Sequence, residues 1–113
     1  MPESDLFAGL MTELNRGTLT LAVLSQLDEA KYGYALLQAL EEKGLPIEPG
    51  SLYPLLRRLE AQGVLESRWD VSETRPRKYY TLSPDGRALY EKLKLEWQRL
   101  NARVDALLKG ESL

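Results

Sequence analysis

Between Glu48 and Leu65 the chain places leucine at positions 52, 55, 56 and 59, the i, i+3, i+4, i+7 spacing of a helix buried along one side. Pro49 fits the first turn of such a helix, and Gly63 closes it. The other side carries Tyr53, Pro54, Arg57 and Arg58, with Gly50 and Ser51 at the entry. At about 100° per residue, Arg57 lies nearly opposite the leucine stripe and Arg58 lies to one side. One short helix is thus committed to a core while presenting two guanidinium groups, a phenol and a bare N-terminus outward. That outward chemistry suits a partner rich in phosphates and base edges.

The flanking segments narrow the fold. Val64 to Val71 reads as a strand, Ser72 to Pro76 as a loop, and Arg77 to Leu82 as the returning strand, with Arg75, Arg77 and Lys78 at a basic tip. Upstream, Leu6, Phe7, Leu10, Met11 and Leu14 recur at helical spacing, and Leu19 to Leu27 reads as a buried helix, with Gly17 marking a bend or interruption. A polar turn spans Asp28 to Lys31. A second helix follows from about Tyr32 to Lys43, with Leu36, Leu37 and Leu40 inward and Gly44 as its stop. Ser83-Pro84 pairs an N-cap with proline at the first helical position, opening a helix that runs to Lys109 before Gly110. The expected fold is mainly α with a small β-hairpin. It is a winged helix-turn-helix with an N-terminal helix and a long C-terminal dimerisation helix. A single domain is expected over 1–113, with the winged body at about 16–82 and the C-terminal helix at about 83–109.

Composition removes most chemistry. The 113 residues include no cysteine and no histidine, which excludes a Cys/His zinc site, thiol catalysis and any His-activated nucleophile. The chain has no G-x-G-x-x-G or G-x-x-x-x-G-K-[ST] phosphate loop. Neither an enzyme nor a bound cofactor or metal is expected. No apolar run approaches the roughly 18 to 20 residues that cross a bilayer, so the expectation is a cytoplasmic protein with no membrane partner. The net charge of −2 is not that of a basic nucleic-acid-binding domain, but the cations gather on the proposed reading face. A local basic patch on an acidic body still binds DNA, with affinity that falls as salt rises.

In the last helix Tyr90, Leu93, Trp97, Leu100, Val104 and Leu107 alternate by four and three, the a/d seam of one helix packing on another. The seam has no obvious partner within the chain, which suggests a second copy. Trp97 has two readings. It is an anchor of the dimer, as tryptophans at interfaces commonly are. Alternatively, with Leu93 it walls a gap between subunits that takes a flat apolar ligand, lined also by Phe7, Met11 and Leu14 of the partner's first helix.

Each candidate DNA contact also has a plainer reading. Arg57 and Arg58 are ordinary solvated charges unless a partner lies against them; with the wing beside them, Arg57 is assigned to a base edge and Arg58 to a phosphate or to packing near Glu60. Tyr53 either seals the core edge or reaches DNA from the first turn. Ser51 helps start the helix or donates to a phosphate. Tyr32, at the start of the second helix, faces outward where that helix crosses the backbone. Arg75, Arg77 and Lys78 either protect an edge strand or touch phosphate or the minor groove. Tyr79 and Tyr80 alternate faces, one core and one partly exposed. Trp69 is expected to be a core residue under the wing.

The segments Tyr32-Gly33-Tyr34, Gly50 to Glu60, Gly63-Val64-Leu65, Trp69 and Arg77 to Leu82, with Gly86 after the second strand, together resemble the PadR family of bacterial transcriptional regulators. The likeness is to its short-tailed members with one C-terminal helix, and it covers about Arg16 to Leu100. The resemblance implies a homodimer whose C-terminal helix crosses the partner near its first helix. It also implies binding to a palindromic double-stranded operator, usually to repress, with release by a small effector. The alternative is a winged-helix protein–protein adaptor that does not bind DNA. Salt separates the two, since only the DNA complex weakens steeply as salt rises.

Overall fold

The computed structural model describes residues 2–110. Its elements in chain order are α1 (Pro2–Ser25), β1 (Lys31–Tyr32), α2 (Gly33–Glu42), α3 (Pro49–Ala61), β2 (Leu65–Asp70), β3 (Arg77–Leu82) and α4 (Pro84–Lys109). The expected helices and hairpin are all present. α1 runs through Gly17 without interruption. Glu3 and Asp5 in its first turn complement the positive end of the helix dipole.

One element was not anticipated. Lys31–Tyr32, expected as the end of a turn and the start of a helix, forms a two-residue strand, and α2 begins one residue later at Gly33. β1 pairs antiparallel with β3, Lys31 opposite Tyr80 and Tyr32 opposite Tyr79, giving a sheet of order β1-β3-β2. β2 pairs with β3 from Leu65 opposite Leu82 out to Asp70 opposite Arg77.

Helix stops follow local chemistry. α2 ends with Gly44 at φ +83° and the Leu45 N–H donating to the Leu40 carbonyl at 2.9 Å. α3 ends the same way, with Gly63 at φ +80° and Val64 N–H donating to Leu59 at 2.9 Å. Both are left-handed turns that satisfy orphan carbonyls and suit glycine. The turn at Gly63 delivers the chain straight into β2, so the direction of the wing is set by the end of α3.

The core joins Val23, Leu24 and Leu27 of the α1 end to Leu36 and Leu40 of α2, the α3 leucines, and Leu65, Tyr80 and Leu82 of the sheet. The stripe Leu52, Leu55, Leu56 and Leu59 is buried throughout, so the outer face of α3 is fixed by what its inner face must do. Truncating any of these leucines to alanine costs about 2–5 kcal/mol. The Leu27 carbonyl accepts both the Leu82 N–H (2.9 Å) and the Thr81 hydroxyl (3.1 Å), tying β3 to the end of α1.

α4 starts as expected. The Ser83 hydroxyl accepts the Gly86 N–H at 2.8 Å and itself donates to the Gly63 carbonyl at 2.6 Å. The Ser83 N–H donates to the Val64 carbonyl at 3.0 Å. Gly86 is buried against this joint, where an added Cβ would overlap the Val64 carbonyl oxygen. The base of α4 is therefore fastened to the root of the wing.

Further along, the seam is less lonely than its spacing suggests. Leu93 and Trp97 lie beside Gly17 and Leu21 of α1, and Tyr90 and Trp97 border a depression with Thr18, Ala22 and Leu45. Leu100 lines the same depression as Leu93 and Trp97, so these four seam residues have a partial partner in their own chain. Leu100, Val104 and Leu107 are exposed, as are Leu6, Phe7, Leu10 and Leu14 of α1. Met11 is half-buried.

Candidate nucleic-acid interface

α3 turns Ser51, Tyr53, Pro54, Arg57 and Arg58 to solvent while its leucines are buried. Glu48, which precedes the helix in extended conformation, makes no side-chain cap bond, so no side chain closes this N-terminus. Pro54 has no N–H to give the Gly50 carbonyl four residues earlier, which leaves that end of the helix more polar toward solvent. Among the described residues, Arg57, Arg58, Arg75 and Arg77 make no ion pair, so their charge is uncommitted.

Tyr53 is held in place by glycine. Its ring lies on Gly33 at the start of α2, with the hydroxyl 2.5 Å from where a Cβ on Gly33 would sit. Gly33 is buried and Tyr53 is only 37% exposed, so the phenol seals the junction of the two helices and shows one edge outward. The phenol thus seals the core edge, one of its two readings, and its exposed edge lies on the outer face of α3. Neighbouring Tyr34, absent from the expected contacts, is 58% exposed beside it.

Tyr32 packs edge-on against Tyr79 with ring centroids 5.4 Å apart, and the Arg77 guanidinium stacks over the Tyr32 ring at 4.4 Å. Such a cation–π contact orients the guanidinium without neutralising it. β1 explains this cluster, because strand pairing sets Tyr32 opposite Tyr79. Tyr79 is half-buried and Tyr80 buried, as the alternation required.

Lys78 departs from the expected trio of tip cations. Its ammonium donates to Glu60 Oε1 of α3 at 3.0 Å and lies 5.3 Å from the Tyr80 ring centroid. Glu60 also accepts a hydrogen bond from the Ser67 hydroxyl of β2. Bonded first by Ser67 and then by Lys78, the Glu60 carboxyl is held below its usual range, and the Lys78 ammonium is held above its own, chiefly by Glu60. One carboxylate on the helix thus grips both strands of the hairpin. Lys78 braces the wing and is not a free charge at its tip.

Contrary to the expectation from sequence, Trp69 is 61% exposed and is not a core residue under the wing. Alternation does put it on the same sheet face as the buried Leu65, but the packed elements cover only the inner end of β2, and the strand overhangs them. Asp70, on the wing, keeps its carboxylate low by accepting the Ser72 hydroxyl and the Ser72 N–H, so this acid is used in shaping the wing turn.

Trp97 and Leu93 meet Gly17 and Leu21 of their own chain, whereas Phe7, Met11 and Leu14 line neither of the depressions beside Trp97. Within one chain the expected ligand residues are not assembled. No described helix is long and apolar enough to cross a membrane, and among the described residues no acidic, His or Cys cluster could hold a metal ion.

The winged body and its flanking helices have known counterparts. Residues 21–92 match the Transcriptional regulator PadR-like family. A transcriptional regulator of Mycobacterium tuberculosis is 40% identical over 79 residues, 69% of this chain and 74% of that protein. The crystal structure of a PadR family transcriptional regulator from Eggerthella lenta superposes with a TM-score of 0.90 at 45% identity, covering 96% of each chain. A PadR-like transcriptional regulator from Bacillus cereus gives a TM-score of 0.76 at 31% identity, covering 88% of this chain and 99% of that one. The chain belongs to the PadR-like family of transcriptional regulators: it is a DNA-binding regulator built on a winged helix, not an enzyme.

Proposed function

We propose that this regulator acts as a cytoplasmic homodimeric repressor of a palindromic operator. The observation that carries this is the outer face of α3, where the uncommitted Arg57 and Arg58 stand beside a wing bearing the uncommitted Arg75 and Arg77. α3 enters the major groove with Arg57 at a base edge. Arg58, Ser51 and the Gly50 end of the helix meet phosphate, and Tyr53 and Tyr32 flank them. Arg75 and Arg77 follow the backbone beside the groove.

Dimerisation is supported by the apolar surface left open on α4 (Leu100, Val104, Leu107) and on the N-terminal half of α1. Tyr90, Leu93 and Trp97 extend this surface toward the α1 crossing. Two copies related by a twofold axis then set two recognition helices on half-sites about one DNA turn, or a multiple, apart. A planar apolar effector is placed between subunits, against Trp97 and Leu93 and the partner's Phe7, Met11 and Leu14. It would release DNA by preferring one dimer opening over another.

The test is a gel shift on the DNA upstream of the chain's own gene, repeated with Arg57→Ala. Loss of a base contact in each half-site should cost about 1–3 kcal/mol per half-site with the fold intact by circular dichroism. Equal affinity of parent and variant would remove Arg57 from the reading role. Sedimentation as a monomer at micromolar concentration would refute the dimer.

A further inference from the structure

A cleft of about 580 Å³ lies between the wing and the helices α2 and α3, and neither the core nor the groove-facing side of α3 accounts for it. Its walls are aromatic: Tyr32, Tyr34, Tyr53 and, across from them on β2, Trp69. Its cations are Arg75, Arg77 and Lys78, the last of them paired with Glu60, and no Asp or Glu lines it. The depression on the other side of Trp69 differs, because Asp70 lines it. The wing therefore presents an acid-free, cationic and aromatic side to the cleft.

We propose that this cleft seats one sugar–phosphate strand of duplex DNA, with Trp69 as a contact residue that packs on the deoxyribose while Arg75 and Arg77 hold the flanking phosphates. This deepens the DNA-binding reading above and rests on it. Trp69 is 61% exposed, a large apolar surface left in water although its sheet face is the core face. An occupant must therefore be apolar where it meets Trp69 and anionic where it meets the arginines, within a few ångströms. A backbone strand has that alternation. The cleft also shares Tyr53 with the outer face of α3, so one duplex lying on that face continues into it. The slot is preformed, because Glu60 grips Ser67 and Lys78 and so fixes the wing against the helix.

The experiment uses the full chain labelled with 5-fluorotryptophan, its two fluorine resonances assigned with Trp69→Phe, and a 24-base-pair duplex of random sequence at low salt. Backbone seating needs no operator. The Trp69 resonance should shift on complex formation. Trp69→Ala should bind the duplex roughly tenfold more weakly, from the lost apolar contact, with an unchanged salt slope because no charge is removed. If the parent binds but the Trp69 signal stays still and Trp69→Ala binds equally well, the cleft is not a DNA seat and the wider DNA-binding reading survives. A still Trp69 signal with weakened binding and a matching drop in melting temperature would make Trp69 a wing-stability residue and overturn the proposal. A Trp69 signal that moves with small aromatic anions and not with DNA would overturn it too. A parent chain that does not bind the duplex at all refutes both readings together.

Discussion

Replacing Gly86 with alanine puts one methyl group into the joint that fastens α4 to the wing root. The added Cβ would overlap the Val64 carbonyl oxygen and lie 3.0 Å from the Ser83 hydroxyl. The obstruction is backbone and cannot rotate away, so α4 must lift. Overpacking of this kind costs about 1–3 kcal/mol. Lifting also breaks the Ser83 cap on the Gly86 N–H, worth about 1 kcal/mol. The Ser83 N–H bond to Val64 is lost as well, worth about 1 kcal/mol. Alanine returns at most about 1 kcal/mol as a better helix former. The net loss is about 2–4 kcal/mol, or a fall of roughly 8–16 °C in Tm for a chain of this size. Thermal melts by circular dichroism at one fixed protein concentration measure it, since the Tm of the proposed dimer would depend on concentration. Gly9→Ala is the control, because a Cβ there meets nothing within 4 Å. If Gly86→Ala melts with Gly9→Ala, the close approach of α4 to Val64 does not stabilise this fold and the reasoning fails.

The wing cations should separate by role: Arg75→Ala and Arg77→Ala should each flatten the salt dependence of DNA binding by about 0.9 in log–log slope per half-site, about 1.8 for the proposed dimer. Lys78→Ala should leave the slope unchanged while lowering stability, and a slope change from Lys78→Ala would contradict the brace. The Glu60 brace also predicts a pH dependence. The Glu60 carboxyl is held low, so its contribution is present above the ordinary value of 4.5 and lost as pH falls through the folded-state pKa beneath it. The Lys78 ammonium is held high, so its contribution is present below 10.5 and lost as pH rises beyond it. Urea titrations across pH should show Glu60→Gln losing the acid limb, and parallel curves for parent and variant would count against the brace. Gly33→Ala should push the Tyr53 ring off its seat at small cost in stability, because only the far end of a side chain must move. DNA affinity should fall more than Tm does, and a Gly33→Ala chain with parental DNA affinity would mean the Tyr53 position is irrelevant.

What was legible in the chain was local. The α3 stripe, the glycine stops at Gly44 and Gly63 and the Ser83-Pro84 start each depend on neighbours within a turn of helix, and each stands as expected. β1 was hidden because its partners Tyr79 and Tyr80 lie far along the chain, and two residues carry no periodicity. Alternation gave Trp69 its face but not how far along the strand the covering elements reach. Lys78 looked like a free cation because Glu60 is 18 positions away. Gly33 and Gly86 fitted a family pattern without a reason; the reasons are a tyrosine ring and a carbonyl brought from other elements. By spacing alone α4 is an unpartnered seam, because nothing in that spacing reveals that α1 passes it at Gly17 and Leu21.

The fastened base makes α4 a lever arm. Its 26 residues span about 39 Å at roughly 1.5 Å per residue, so a 2 Å shift at the far end corresponds to a rotation of only about 3°. Because the pivot is Gly86 against Val64, immediately after the turn that ends α3, such a rotation cannot be absorbed between α4 and the helix that faces solvent. Small repackings under the far end of α4 therefore bear on how α3 is aimed, through the joint at Gly86.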